Sequence, residues 1–456
     1  MKRHDNTIER AFLHNLGDCS SPERTDRIFS FLGYRVYNNL PSVASEVDFD
    51  IRDNVNQIGI IDKWIAGKGI PVDLEWMNFV DKKIPETTKS AVKAINDKWP
   101  LVAQANPDGS MVLNWNTINR NLRGYGFQSG DEVSTKTLDP WKNTDTFPGD
   151  LRSLLKFRDA ISSIKKGYLR SYDGRIYIKS LYPYASSTGR FQPKTREGFV
   201  FNLDKAFRTV LNPPAGKMLV DIDYHAQEMA IQAVLSGDKA FREAYVNGDI
   251  YSNLGRIIGL RDRNISKHIV IPWSYGAGEY TMDKMGVPGA STKLNERFPV
   301  LASYKKRLSN NNGYGVVPDG FTIDLKTLKP SARINWPFQA FGAYILREVV
   351  KKFYTAKIPI IATVHDAVVL EVDENDWDTI DKALEIMSQV PKELLTDDIL
   401  TCTRDQVSLW KHHTLDDLCH LEREEFVAKV GDLVAWDDVV KFRKLFRDKE
   451  EDYDQF

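Results

Sequence analysis

Two aspartates stand where carboxylate chemistry is expected. Asp223 ends the segment KMLVDID (217–223), an apolar strand pattern that delivers the acid to its end, and Asp366 sits at the bend between the apolar runs IPIIATV (358–364) and AVVLEV (367–372). A carboxylate at the end of a buried strand is what a metal-dependent phosphoryl-transfer site requires. Two such acids brought together repel each other unless cations sit between them. Two Mg2+ ions about 3.5 to 4 Å apart would neutralise the pair and clamp the entering and leaving oxygens of an in-line displacement. Read singly, each Asp is an ordinary turn or cap residue. Asp221, two residues earlier on the same strand face, is a rival for the first position.

A third constellation is Arg263, Lys267, Ile271 and Tyr275, spaced by four, which on a helix form one slowly drifting stripe. Its two cations lie near the N-terminal end, where the helix dipole also favours an anion. That order suits a nucleotide, with a triphosphate at one end and a base stacked at the other. The plainer reading is an amphipathic helix with a basic edge.

The elements that must position these residues are legible in outline. With 456 residues, 42% hydrophobic and 11% aromatic, the chain can bury a large core and divide into two to four subdomains. The spacing predicts a strand over 217–223, a hairpin over 358–372 whose bend is His365-Asp366, and strand-like composition over 176–184. Positions 58–80 read as an apolar helix, the turn GKGIPVD and a second helix start; 104–150 reads as loop-rich and 151–169 as helical. Basic residues recur from Arg120 through Arg152, Lys156, Arg158, Lys165, Lys166 and Arg170 to Arg190, yet 62 Lys and Arg balance 63 Asp and Glu. Bulk charge therefore does not indicate a nucleic-acid partner, and the basic run taken alone reads as ordinary solvated helix faces. Cys19, Cys402 and Cys419, without C-x-x-C spacing, argue against a disulfide framework and a structural zinc. The start MKRHDNTIER leads into no long apolar run, so a soluble, cytoplasmic protein with no membrane partner is expected.

Taken together and in order, DYHAQEMAIQAVLSGD (223–238), RNISKHIVIPWSYGAG (263–278) and VHDAVVLEV (364–372) resemble motifs A, B and C of the DNA polymerase I family, family A. The flanks agree. GIPVD (69–73) is similar to the thumb entrance, SSTGRF (186–191) to the threonine-glycine-arginine segment before motif A, and RINWPFQA (333–340) to the helix before motif C. In style the chain looks like a phage enzyme. The resemblance runs from about Ile58 to about His412 and implies an α+β right hand: thumb 57–180, palm 181–250 and 330–414, fingers 251–329. An N-terminal segment, 1–56, at most resembles the tail of an exonuclease-like domain, and 415–456 is a charged extension, expected as a solvated or partner-binding appendage.

The implied activity is template-directed addition of dNTPs to a primer 3'-OH on primer-template DNA, with two Mg2+ ions, or Mn2+, and release of pyrophosphate. Host-cell cytoplasm would be the compartment of a phage-encoded enzyme. Asp223 and Asp366 match the metal-binding aspartates, with the backbone carbonyl of Tyr224 as a further ligand; Glu228, five positions on, fixes the register on Asp223 rather than Asp221. Arg263 and Lys267 match the triphosphate contacts, Lys267 also as proton donor to the leaving pyrophosphate. Tyr275 matches the aromatic at the nascent pair, and Glu228 the side chain that fills the space of a ribose 2'-OH. Arg190, Asn335, Gln339 and His365 correspond to contacts on the primer terminus and minor groove.

Departures from the pattern accompany these matches. Ala367 replaces the Glu that usually follows the motif C aspartate, Tyr251 stands where a histidine is common, and Ile271 replaces Phe or Tyr. Pro272 follows within the predicted helix, where a kink is expected. No 3'-5' exonuclease activity is expected of the chain, and a separate exonuclease or other replication proteins are partners to consider. A catalytically impaired DNA-binding or replication scaffold is the alternative reading, kept open by Ala367, Ile271 and Pro272.

Overall fold

The computed structural model describes residues 51–124, 148–167, 171, 173–193 and 198–446. The expectations for 1–50, for the stretch 125–147, for Arg170 and for 447–456 lie outside them, as do the side chains of Lys156, Lys165 and Lys166. Two compact units divide the chain: one takes the described parts of Met1–Ala66, Ser180–Gln192 and Val220–Val407, the other those of Gly67–Lys179, Pro193–Leu219 and Ser408–Phe456.

The elements of the first unit run α1 (Ile51–Ala66), β1 (Lys217–Ile222, which the chain enters from the second unit), α2 (Gln227–Ser236), α3 (Lys239–Val246), α4 (Ile250–Ile257) and α5 (Arg263–Ser274). There follow α6 (Glu279–Lys284), α7 (Ala290–Arg297), α8 (Pro299–Ser309), the hairpin β2 (Tyr314–Val316) and β3 (Thr322–Asp324), α9 (Pro330–Ala356), β4 (Ile360–Val364), β5 (Ala367–Asp373) and α10 (Trp377–Leu395). Helix α1 is continuous across 56/57. In the sheet, β5 lies between β1 and β4.

Local chemistry explains where these elements start and stop. Helices α3, α4 and α5 each begin after an aspartate, Asp238, Asp249 and Asp262, whose side chain accepts the N–H three residues on. Such caps satisfy a donor that the helix itself leaves open. Helix α9, 27 residues long, opens with Pro330 at its first position and is buried along most of its length from Ile334 to Phe353. In the β4–β5 hairpin Val364 pairs with Ala367, which leaves His365-Asp366 as a two-residue turn. Here His365 takes φ 58°, a left-handed conformation that favours glycine. Ala367 to Leu370 are all buried, so the turn is presented by a rigid, apolar strand pair.

The 176–184 stretch is not the strand that its composition suggests. Only Arg175–Ile176 pairs, with Ile70–Pro71, while Tyr182 and Tyr184 take φ 51° and 62°, which no continuing strand allows.

In the second unit the helix Leu74–Lys98 is capped by Asp73 and carries Trp76, whose ring stacks on Phe442 at 5.5 Å between centroids. Phe79, Phe207 and Phe446 complete this aromatic core. The described part of 415–456 is therefore a packed element and no solvated appendage, because Val439, Phe442 and Phe446 on the helix Trp436–Phe446 are buried. A second cluster joins Val92, Ile95 and Trp99 to Leu151, Leu154 and Leu155 on Gly149–Gly167. Among the described residues no helix is long and apolar enough to cross a membrane.

Candidate active site

Every residue singled out for chemistry in the sequence lies in the first unit. Strand β1 ends at Ile222 and releases Asp223. The next residue anchors the turn: Tyr224 is 2% exposed and its hydroxyl donates to the Met387 carbonyl at 2.6 Å. Ala226, in the left-handed region at φ 45°, then swings the chain into α2, whose first turn holds Glu228. Asp366 lies in the β4–β5 turn, on the hairpin whose strand β5 neighbours β1 in the sheet.

The two acids feel each other's charge. Burial, followed by the charges of Asp366 and Asp221, pushes Asp223 up to about 7, with Lys267 opposing. Its side chain keeps solvent-exposed surface, so desolvation is partial and the like-charge repulsion is the share a cation would relieve. Asp366 is also raised, first by burial and further by Glu228, against its own backbone amide, Arg190 and His365. Asp221 is thus a third carboxylate of the neighbourhood. Gln406 donates to the Asp223 carbonyl at 3.3 Å.

Glu228 is held at both oxygens. Arg190 pairs with Oε1, and the Tyr275 hydroxyl donates to Oε2. Gln339 Nε2 lies 3.4 Å from the same hydroxyl. Arg190, Glu228, Tyr275 and Gln339 come from 186–190, α2, the end of α5 and α9, so four separated stretches of sequence meet beside Asp366. The buried Oδ1 of Asn335, one turn before Gln339 on α9, has no hydrogen-bond partner among the described residues.

The cations cluster on one ring. The Arg263 guanidinium and the Lys267 ammonium lie 5.6 and 5.4 Å from the Tyr251 ring centroid, and both side chains are exposed. Two exposed cations beside one aromatic ring make a ready anion site. Arg263 Nε donates to Asp249 Oδ1 at 3.0 Å, and His225 Nε2 lies 3.7 Å from that oxygen. Although burial pushes Asp249 up, bonds from Ser252 and Arg263 outweigh it and hold the acid below its usual range.

Helix α5 carries the stripe only in part. It runs through Pro272 to Ser274, and Tyr275 follows as its cap outside the helix, with Gly276 at φ 88°. Ile271 is half-buried, on the same side of the chain as its neighbours in the stripe by spacing alone. Behind this end lies Lys305, 5% exposed, its ammonium 3.6 Å from the Trp273 ring centroid and donating to the Trp273 carbonyl at 2.9 Å.

Among the described residues no three or more His, Cys, Asp or Glu side chains form a metal cage. Two carboxylates and the Tyr224 carbonyl still fit Mg2+, which is commonly held by one or two carboxylates together with substrate phosphates and water. Asp249 and Gln406 are not singled out in the sequence. Asp249 has a local signal, an Asp before a helix start, whereas Gln406 reaches the site through a contact distant in sequence.

No protein-family profile matches the chain. It is 24% identical over 187 residues to a DNA polymerase of Mycobacterium phage D29, an alignment covering 36% of this chain and 30% of that protein. The match thus spans about a third of the length of that relative. Among solved structures it is similar to the POL domain of Pol1 from M. smegmatis, in a complex with DNA primer-template and dNTP, at TM-score 0.59 and 16% identity, over 78% of this chain and 69% of that one. The fold of the chain is that of a DNA polymerase core.

Proposed function

We propose that this protein is a DNA-directed DNA polymerase of the DNA polymerase I type, extending a primer 3'-OH with dNTPs on a template. The hand would be built as thumb 57–180, palm 181–250 with 330–414, and fingers 251–329. The observation that carries the reading is the charge coupling of Asp223 with Asp366 and Lys267, and of Asp366 with Glu228 and Arg190, beside a Tyr251 ring that also carries Arg263 and a Glu228 held by Arg190 and Tyr275. An anion site and a pair of mutually repelling acids are parts that nucleotidyl transfer needs, and the clamped carboxylate would serve the sugar edge.

Asp223, Asp366 and the Tyr224 carbonyl would hold two Mg2+ ions, which supply neutralisation of the acids and of the transferring phosphate when bound. Arg263 and Lys267 would bind the triphosphate, Lys267 handing a proton to the departing pyrophosphate. Arg263 would exchange Asp249 for phosphate as the nucleotide enters. Tyr275 would stack at the nascent pair while its hydroxyl keeps Glu228 over the sugar edge. Arg190, Asn335, Gln339 and His365 would contact the primer terminus and minor groove, where the base-edge acceptors do not depend on sequence. The unpartnered Asn335 Oδ1 supports that assignment.

Primer extension tests the proposal: the purified chain with a primed template, Mg2+ and four dNTPs is expected to make template-complementary product. Duplex binding without any incorporation, in Mg2+ or Mn2+, would favour the scaffold reading.

A further inference from the structure

A fully buried ion pair lies behind the turn that carries Arg190. Asp319 belongs to the connection between β2 and β3, Arg347 to α9, and their side chains are 1% and 0% exposed. Arg347 Nε donates to Asp319 Oδ2 at 2.6 Å, while Nη1 donates to the Gly189 carbonyl, also at 2.6 Å. The guanidinium lies 4.5 Å from the Tyr184 ring centroid, and the Tyr184 hydroxyl is 3.3 Å from Asp319 Oδ2. Withdrawing two charges from water costs more than their attraction commonly returns, so such a pair is poor evidence of stability and is better explained by what it fixes.

What it fixes is a backbone. Gly189 has φ 70°, and a Cβ there would come within 3.0 Å of Arg347 Nη1 and 3.1 Å of Phe321. A second clamp comes from the same helix: Trp336 Nε1 donates to the Ser187 carbonyl at 2.7 Å. Trp336 and Arg347 are about three turns apart, on one face of α9. Trp336 is in turn covered by Gly315 of β2, where a Cβ would meet the indole at 2.5 Å. Within the turn, the Gly189 N–H bonds the Ser186 carbonyl and the Arg190 N–H bonds Ser186 Oγ. The residue after the clamped carbonyl is Arg190, which pairs with Glu228.

We infer that Asp319 and Arg347 are positioning residues for Arg190, acting through the Gly189 carbonyl to set where its guanidinium meets Glu228 and the primer terminus. This rests on the polymerase reading above. Trp336 fixes the entry of the turn and Arg347 its exit, so loosening the exit frees Arg190 while the rest of the fold stays.

The test compares single-turnover extension of primers ending in a purine or in its 3-deaza analogue, which lacks the minor-groove acceptor. Wild-type protein is expected to extend the analogue roughly tenfold to a hundredfold more slowly, the range of a hydrogen bond from a charged donor. Arg190→Ala should be slow on both primers and blind to the difference. Arg347→Lys, which keeps the charge but cannot bridge two acceptors from one plane, should lose most of the discrimination, with the maximal single-turnover rate falling and the apparent Kd for dNTP little changed. The double variant should be no slower than Arg190→Ala alone. A folded Arg347→Lys protein with full discrimination, or losses that multiply in the double variant, overturns the inference. Asp319→Asn is the second arm; if neither variant folds, the pair is structural and the inference falls. Wild-type protein that fails to extend either primer refutes the polymerase reading instead, whereas extension without discrimination removes Arg190 from the primer and this inference with it.

Discussion

At the scale of single residues, the clamped Glu228 makes the sharpest claim. Because Arg190 and Tyr275 hold one oxygen each, the side chain cannot swing aside for an extra hydroxyl. Glu228→Ala is expected to raise ribonucleotide incorporation by at least about tenfold relative to dNTP, since each factor of ten corresponds to about 1.4 kcal/mol, the order of one steric or hydrogen-bond contact. An unchanged ratio in competition assays would remove Glu228 from the sugar edge. Ile271 offers no hydroxyl that could stand in for a missing 3'-OH. The protein should therefore discriminate against dideoxynucleotides, and Ile271→Tyr should relax the discrimination; equal selectivity before and after substitution would place side chain 271 away from the sugar.

Helix α5 sets the second scale. Pro272 removes the N–H that would bond the His268 carbonyl, and the helix ends two residues later on a buried lysine. Desolvation pushes Lys305 down to about 7 from 10.5. Between about pH 7 and 10.5 the unfolded chain holds a proton that the folded one does not, so stability rises with pH across that window, and the cost of a buried ammonium is fully present below it. Thermal midpoints from pH 7 to 9.5 should accordingly climb more steeply for wild type than for Lys305→Met; parallel profiles would contradict the assignment. The hairpin, strand β1 and the helical stripe were legible in sequence because alternation, a two-residue bend and a period of four are local signals. Tyr275 as a cap beyond the helix was not, since Gly276 at φ 88° and Lys305 decide it from outside the stripe. Asp319 and Arg347 gave no local sign either, and the strand-like 176–184 stretch yields to two left-handed tyrosines that composition does not announce. The extension from 415 on reads as solvated because its charges dominate the count, while three buried apolar side chains, Val439, Phe442 and Phe446, decide the packing of its described part.

On the scale of the whole molecule, the residues proposed for chemistry belong to the first unit, and the second has its own aromatic core, in which Trp76 stacks on Phe442. Phe442→Ala should cost about 3 to 5 kcal/mol of that unit's stability, the usual loss for a buried Phe. A midpoint in denaturant shifted by less than the error of the fit would mean that the last described helix does not belong to that core. Duplex affinity in such a protein is spread over many phosphate contacts, whereas nucleotidyl transfer depends on two acids. The most direct measurement is single-turnover incorporation of one templated dNTP by wild type, Asp223→Ala and Asp366→Ala, alongside duplex binding at fixed salt. Incorporation by wild type, its loss by at least about a thousandfold in both variants, and binding that stays within a few fold are the result this account predicts, given the several kcal/mol such charge stabilisation supplies. Undiminished incorporation by the Asp223 variant, with Asp221 left as the acid on that strand, would contradict it.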